Sequence, residues 1–177
     1  YYLLNKPRQV ISSVEDKLGR ITVRDLINTE ARIYPVGRLD YDTTGLIILT
    51  NDGDFANMLM HPSYEIEKTY VAKINKVLDK DDINKLKKGI VIDNRKVDIK
   101  RFKVRKKDVE KNTSIVELTI VEGRNHIVKK IFENMRIDVI KLSRVSYAFL
   151  NLDGLKSGEY RKLSIKEIKK LYALKKC

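Results

Sequence analysis

The chain has 177 residues with 42% hydrophobic content, enough for one ordinary domain that buries roughly 70% of its unfolded surface. No apolar run approaches the ~20 residues of a membrane span, no signal-peptide pattern is present, and the single Cys177 excludes an internal disulfide, so a cytoplasmic setting is expected. Lys and Arg number 37 against 24 Asp and Glu, a net charge of +13; this points to a polyanion, nucleic acid first, while two His and one Cys all but exclude a zinc site built from those ligands.

The chain opens on Tyr1-Tyr2-Leu3-Leu4, a strand pattern that stops at Pro7, with no initiator Met; something upstream is therefore expected to be missing. Thr22–Ile27 fits a short helix. Leu46–Leu49 is a continuous apolar run, as expected of a strand buried on both faces. Asn51-Asp52-Gly53 turns the chain, and Asp54–Met60 is amphipathic enough for a helix that ends before Pro62. Thr69–Ile74 alternates as a strand, and Asp79–Lys88 reads as a polar-faced helix stopped by Gly89.

A meander follows, with strands at Ile90–Ile92, Lys96–Ile99, Phe102–Val104 and Ile115–Val121 and turns at Asp93-Asn94 and Lys111-Asn112. Ile127, Val128, Ile131, Phe132 and Met135 mark a helix face, for which Asn125 is the expected N-cap. Val139–Leu142 and Val145–Leu152 return to strands. Ser164–Lys176 closes the chain as a basic helix capped by Ser164. Strands outnumber helices and short turns join several of them, so the fold class is α+β with an antiparallel-rich sheet.

Positive charge is concentrated rather than spread. Lys100, Arg101, Lys103, Arg105, Lys106, Lys107 and Lys111 fall within one run, and the closing helix adds Lys166, Lys169, Lys170, Lys175 and Lys176. A solvated face explains either run alone. Two runs in so basic a chain favour phosphate contacts, which release counterions.

Three polar groups carry the candidate chemistry. Gly37-Arg38-Leu39-Asp40-Tyr41-Asp42-Thr43-Thr44-Gly45 abuts the apolar run, where polar groups are costly unless paired or functional. An Asp-rich turn between two strands accounts for the same residues. So does a carboxylate pair, since Asp40 and Asp42 on one strand face would approach the ~5–5.5 Å separation of a retaining glycosidase. Lys68 and Tyr70 share a face of their strand, and an ordinary half-buried strand start fits them equally. Glu122-Gly123-Arg124-Asn125-His126 leads into the amphipathic helix with Lys129 and Lys130 in its first turn, where cations oppose the macrodipole unless an anion lies near; a solvated basic face accounts for the same residues.

In this order and at these separations the three groups resemble the pseudouridine synthases, and more narrowly the RsuA-type family that modifies ribosomal RNA. The likeness rests on Gly37-Arg38-Leu39-Asp40 with Thr43, Gly45 and Leu46 to Asp52, on the opening Tyr2-Leu3-Leu4-Asn5-Lys6-Pro7, and on Glu67-Lys68-Thr69-Tyr70. Glu122-Gly123-Arg124-Asn125, Asp153-Gly154-Leu155 and Gly158-Glu159 extend it over almost the whole chain.

The resemblance implies the pseudouridine synthase catalytic fold and conversion of a uridine to pseudouridine without cofactor or metal. Asp40 is then the catalytic carboxylate, either attacking ribose carbon 1′ or assisting departure of the uracil to leave a glycal. Tyr70 stacks on the base and is placed to take the proton from carbon 5, and Lys129 pairs with Asp40. Arg38, Thr43, Lys68, Arg124 and Val128 are the expected substrate-binding residues. Two positions depart from the family pattern, with Ile127 where Gln is usual and Lys129 where Arg is usual. His61 and His126 are expected to be a helix-end and a helix-start residue.

A small N-terminal RNA-binding domain common in such enzymes is expected to be absent from these residues, leaving 1–177 as the catalytic domain. A monomer acting on ribosomal RNA, with the large subunit weakly favoured, is the resulting expectation. A non-catalytic RNA-binding or ribosome-assembly module that retains the fold is the alternative.

Overall fold

The computed structural model describes residues 1–175. Its centre is a mixed sheet assembled from β1 (Tyr2–Lys6), β2 (Tyr34–Pro35), β3 (Thr44–Thr50), β4 (Lys68–Ile74), β7 (Ile99–Asp108), β8 (Thr113–Ile120), β9 (Val139–Tyr147), β10 (Leu150–Asn151) and β11 (Tyr160–Lys162). The main order is β11-β1-β3-β9-β4-β8-β7, with β2 paired to β3 and β10 to β9. A separate hairpin joins β5 (Ile90–Ile92) and β6 (Arg95–Val97). Helices α1 (Gly53–Met60), α2 (Lys80–Lys88), α3 (Ile127–Asn134) and α4 (Ile165–Tyr172) flank the strands. This is the expected α+β class.

The apolar run of β3 is buried on both sides. Leu46 and Ile48 pack with Leu3 against Phe55 and Leu59 of α1 and Leu171 of α4. Ile47 and Leu49 turn the other way, onto Tyr2, Leu4, Val23 and Ile33. A third cluster holds Ala72, Ile74, Val116 and Leu118 under Ile131 and Phe132 of α3. Each fully buried aliphatic or aromatic side chain contributes about 1.5–3 kcal/mol.

At the middle of the sheet β3 and β9 meet in parallel, through Thr44 with Ser143 and Gly45 with Arg144. Gly45 has φ +116°, and a Cβ there would lie 2.1 Å from the Arg144 carbonyl oxygen. Only glycine permits that approach.

Several elements differ from the sequence reading. The strands expected at Lys96–Ile99 and Phe102–Val104 become β6, ending at Val97, and the ten-residue β7, which runs through the basic segment. The break expected between Leu142 and Val145 is filled, because Ser143 and Arg144 pair with both β3 and β4. The three residues of β11 went unread, as they are too few for a period and pair with β1 from the far end of the chain. Thr22–Ile27 forms only a 3-10 turn at Arg24–Leu26. The closing helix ends at Tyr172, and Lys176 and Cys177 lie outside the described residues. No helix among the described residues is long and apolar enough to cross a membrane.

Candidate active site

The Arg38–Thr43 segment lies between β2 and β3, and its backbone is fastened from several sides. Ser12 Oγ donates to the Leu39 carbonyl at 2.8 Å and accepts from Leu39 N–H at 3.0 Å. Leu39 itself is buried in the cluster beneath. Thr43 N–H closes a turn onto the Asp40 carbonyl at 3.0 Å. Lys6, wholly buried, donates through Nζ to the Pro7 carbonyl at 2.9 Å and the Tyr41 carbonyl at 3.5 Å. Burial lowers the Lys6 ammonium to about 8, with Asp40 and Asp42 opposing the shift. Asp40 therefore stands on a backbone held from both neighbours, as a preorganised group requires.

Its carboxylate faces the start of α3. His126 Nδ1 lies 2.8 Å from Asp40 Oδ2, and Lys129 Nζ lies 3.3 Å from the same oxygen. Oδ1 makes no hydrogen bond among the described residues. The expected cap Asn125 is displaced by His126, which takes left-handed backbone angles of φ 54° and ψ 26° and makes no side-chain capping bond. That conformation ends the loop and swings the imidazole onto Asp40 instead. His126, expected to be only a helix-start residue, is thus part of the site. Helix periodicity gives no sign of this, because His126 lies outside α3 in the left-handed region.

A cavity of about 790 Å³ opens beside Asp40, the size of a small-molecule pocket. Tyr70, 7% exposed, and Val128, 2% exposed, supply aromatic and aliphatic wall. Thr43 lines it too, with a buried Oγ1 that lacks a partner among the described residues. Arg38 lies exposed at its edge and makes no ion pair among the described residues. Lys68 enters at the head of β4, where the register against β9 shifts between Thr69 and Tyr70. Such irregularities re-aim side chains beside active sites.

Arg124 is placed differently from the expectation. Its guanidinium forms a two-pronged pair with Glu122 and donates to the Ile92 carbonyl at 2.7 Å. Those donors fasten the β5–β6 hairpin to the loop before α3, so Arg124 shapes the cavity wall with its hydrogen bonds already committed. Asp42, the second carboxylate of the glycosidase alternative, does not line the Asp40 cavity, so that pairing finds no support. Among the described residues no group of three or more His, Cys, Asp or Glu is placed to hold a metal ion.

The fold and this arrangement agree with what comparison finds. The sequence model of the RNA pseudouridylate synthase family matches residues 1–134. Ribosomal large subunit pseudouridine synthase B of Bacillus subtilis is 53% identical over 175 residues, spanning 98% of this chain and 72% of that protein. An uncharacterized RNA pseudouridine synthase of Aquifex aeolicus is 34% identical, over 97% and 69% of the two chains. A crystal structure of a pseudouridylate synthase superposes with a TM-score of 0.81 at 31% identity, covering 96% of this chain and 72% of the other. The chain belongs to the RNA pseudouridine synthase family and is an RNA-modifying isomerase of the RsuA type.

Proposed function

We propose that this enzyme converts a uridine of ribosomal RNA to pseudouridine, acting as a cytoplasmic monomer without metal or cofactor, with Asp40 as its catalytic carboxylate. One observation carries the assignment. Asp40 presents an unbonded oxygen beside the cavity while its other oxygen is held by His126 and Lys129. The ribosomal substrate rests on the relative from Bacillus subtilis, whose name specifies the large subunit. The net charge of +13 suits a phosphate backbone.

The target nucleotide enters the cavity flipped from its helix, at a cost of a few kcal/mol that pocket contacts must recover. Tyr70 and Val128 offer flat and apolar surface to the uracil. The bond from ribose carbon 1′ to uracil nitrogen 1 breaks, with Asp40 either attacking carbon 1′ or taking a ribose proton to leave a glycal. The uracil turns and carbon 5 joins carbon 1′, displacing the Asp40 carboxylate on the first route or, on the second, adding to the glycal as Asp40 returns the proton to ribose carbon 2′. Carbon 5 then loses its proton, with Tyr70 on the cavity wall as the acceptor, and nitrogen 1 gains one. No electrons or atoms are exchanged with a second substrate.

The test uses ribosomal RNA lacking the modification, incubated with wild type or Asp40→Ala and mapped by carbodiimide-dependent reverse-transcription stops. A new stop is expected with wild type alone. A stop with both proteins, or with neither, would overturn the assignment. Asp40→Ala is expected to bind the RNA while losing at least ~10³-fold in rate, as removal of a covalent or acid–base group does.

A further inference from the structure

Two further cations enter the cavity and take no part in holding Asp40. Arg144, in the middle of β9, is only 4% exposed. Its Nε donates to the Leu46 carbonyl at 2.9 Å, whereas Nη2 is buried with no hydrogen-bond partner among the described residues. The side chain of Lys68, at the head of the neighbouring strand, makes neither a hydrogen bond nor an ion pair among the described residues; its Nζ lies 5.4 Å from the centre of the Tyr147 ring. The Arg144 guanidinium lies 5.1 Å from the centre of the same ring.

Both line the cavity together with Tyr70 and Leu142. The nearby acid, Glu122, is committed to Arg124. Burial, and then the Arg144 charge, push the Lys68 ammonium down to about 8. Glu122 opposes that shift only in part, and like charges brought together away from bulk water destabilise a fold. The Leu46 hydrogen bond and the Tyr147 ring offset part of that cost, but they leave Nη2 of Arg144 and the Lys68 ammonium without a hydrogen-bond acceptor among the described residues, which an anion in the cavity would supply.

We propose that Lys68 and Arg144 form an anion subsite that holds the uracil as it leaves ribose carbon 1′. The inference rests on the Asp40-centred isomerisation above. When the bond to nitrogen 1 breaks, its electron pair stays with the uracil, whose negative charge spreads over nitrogen 1 and the two carbonyl oxygens. This holds whether Asp40 attacks carbon 1′ or a glycal forms. The charge lasts until carbon 5 has joined carbon 1′, after which carbon 5 releases its proton and nitrogen 1 is protonated. Cations fixed beside that charge in a water-poor cavity stabilise the step without reorganising.

The base, rather than a phosphate, is the fitting occupant. The two cations share their part of the cavity with the aromatic and aliphatic wall, whereas the exposed Arg38 and Arg95 are the lining cations that solvent, and hence a backbone, reaches.

A leaving-group comparison tests this. Ribosomal RNA transcripts are made with uridine or with 5-fluorouridine, whose base is the more stable anion. Loss of the nitrogen-linked nucleoside is followed under single-turnover conditions by chromatography after nuclease digestion. Lys68→Met is expected to slow the uridine transcript about 10²-fold and the fluorinated one several-fold less, with RNA affinity unchanged and Lys68→Arg largely restoring the rate. The variant should melt at or above wild type, since it sheds a half-buried charge and no side-chain hydrogen bond. Equal losses on both transcripts, a loss confined to RNA affinity, or a lowered melting temperature would each overturn the proposal. Failure of wild type to rearrange the uridine transcript would instead overturn the isomerase reading beneath it.

Discussion

Asp40 owes its setting to two donors converging on a single oxygen. A lysine at position 129 supplies charge but only a point contact, where an arginine would bring a planar fork. His126 adds the second donor at 2.8 Å, beside the 3.3 Å contact of Lys129. The pair thus holds Oδ2 through two donors and leaves Oδ1 unbonded among the described residues. Truncation of a charge-assisted hydrogen bond costs about 1.5–3 kcal/mol, so His126→Ala is expected to slow single-turnover isomerisation by about 10- to 100-fold with RNA affinity intact. Lys129→Ala should do the same or worse, and Lys129→Arg should retain activity. Because both residues act through one oxygen, the double variant should lose less than the product of the single losses. Losses that multiply would show that the two act separately.

At the scale of elements, the parallel seam between β3 and β9 sets how close the Asp40 loop comes to the cavity wall. Gly45→Ala puts a methyl into the Arg144 backbone and a side chain at φ +116°. The expected cost is about 3 kcal/mol or more, read as a large fall in the urea midpoint with little soluble protein. The basic segment also takes on a second meaning. It is an edge strand of the sheet, where lysines discourage pairing with another chain. Arg101 is paired with Glu67 at 2.6 Å and Lys100 with Asp98 at 2.8 Å, while Lys103, Lys106 and Lys107 make no ion pair among the described residues. A triple replacement of those three by Glu keeps the edge charged while removing cations. Weaker RNA binding, with a salt slope shallower by roughly 0.7 for each phosphate no longer neutralised, is the expected outcome of a filter-binding titration. An unchanged slope would leave the strand with edge protection alone.

For the molecule as a whole, two cations, the buried Lys6 and the half-buried Lys68, contribute to the pH dependence of stability. Lys6 and Lys68 both titrate near 8 in the folded chain, against an ordinary value of about 10.4. Below about pH 8 both folded and unfolded chains carry these protons, and the cost of burying them applies in full. Between about pH 8 and 10.4 the unfolded chain holds more protons, so stability rises with pH by up to ~1.4 kcal/mol per unit for each group. Above about pH 10 the sign reverses for Tyr147. Its phenol, buried and donating to the Leu59 carbonyl at 3.0 Å, is pushed up to about 12, so ionisation favours the unfolded chain. Urea unfolding from about pH 7.5 to 10 should show the rise, and Lys68→Met should flatten it while raising stability at about pH 7.5.

Local pattern alone identified the double-sided burial of β3, the helices α1, α2 and α4, and the Arg38–Asp40 and Lys68–Tyr70 groups, because period and punctuation are properties of neighbouring residues. Likeness of the motifs to those of the family also marked Lys129 as a partner for Asp40. Other features depend on residues far apart in sequence. The union of Val139 to Tyr147 into one strand comes from pairing with β3 and β4, and the three residues of β11 exist as a strand only because β1 lies beside them. Arg124 looked available for substrate until the hairpin carbonyl of Ile92 met it. His126 turned onto Asp40 because its backbone left the helix, and Arg144 was left with an unpaired nitrogen because β9 runs through the centre of the sheet. Length, basic charge and motif order therefore determined the class of enzyme, whereas hydrogen-bond donors find or lack partners only when distant segments meet, and that decided how the carboxylate is held and where two cavity cations wait.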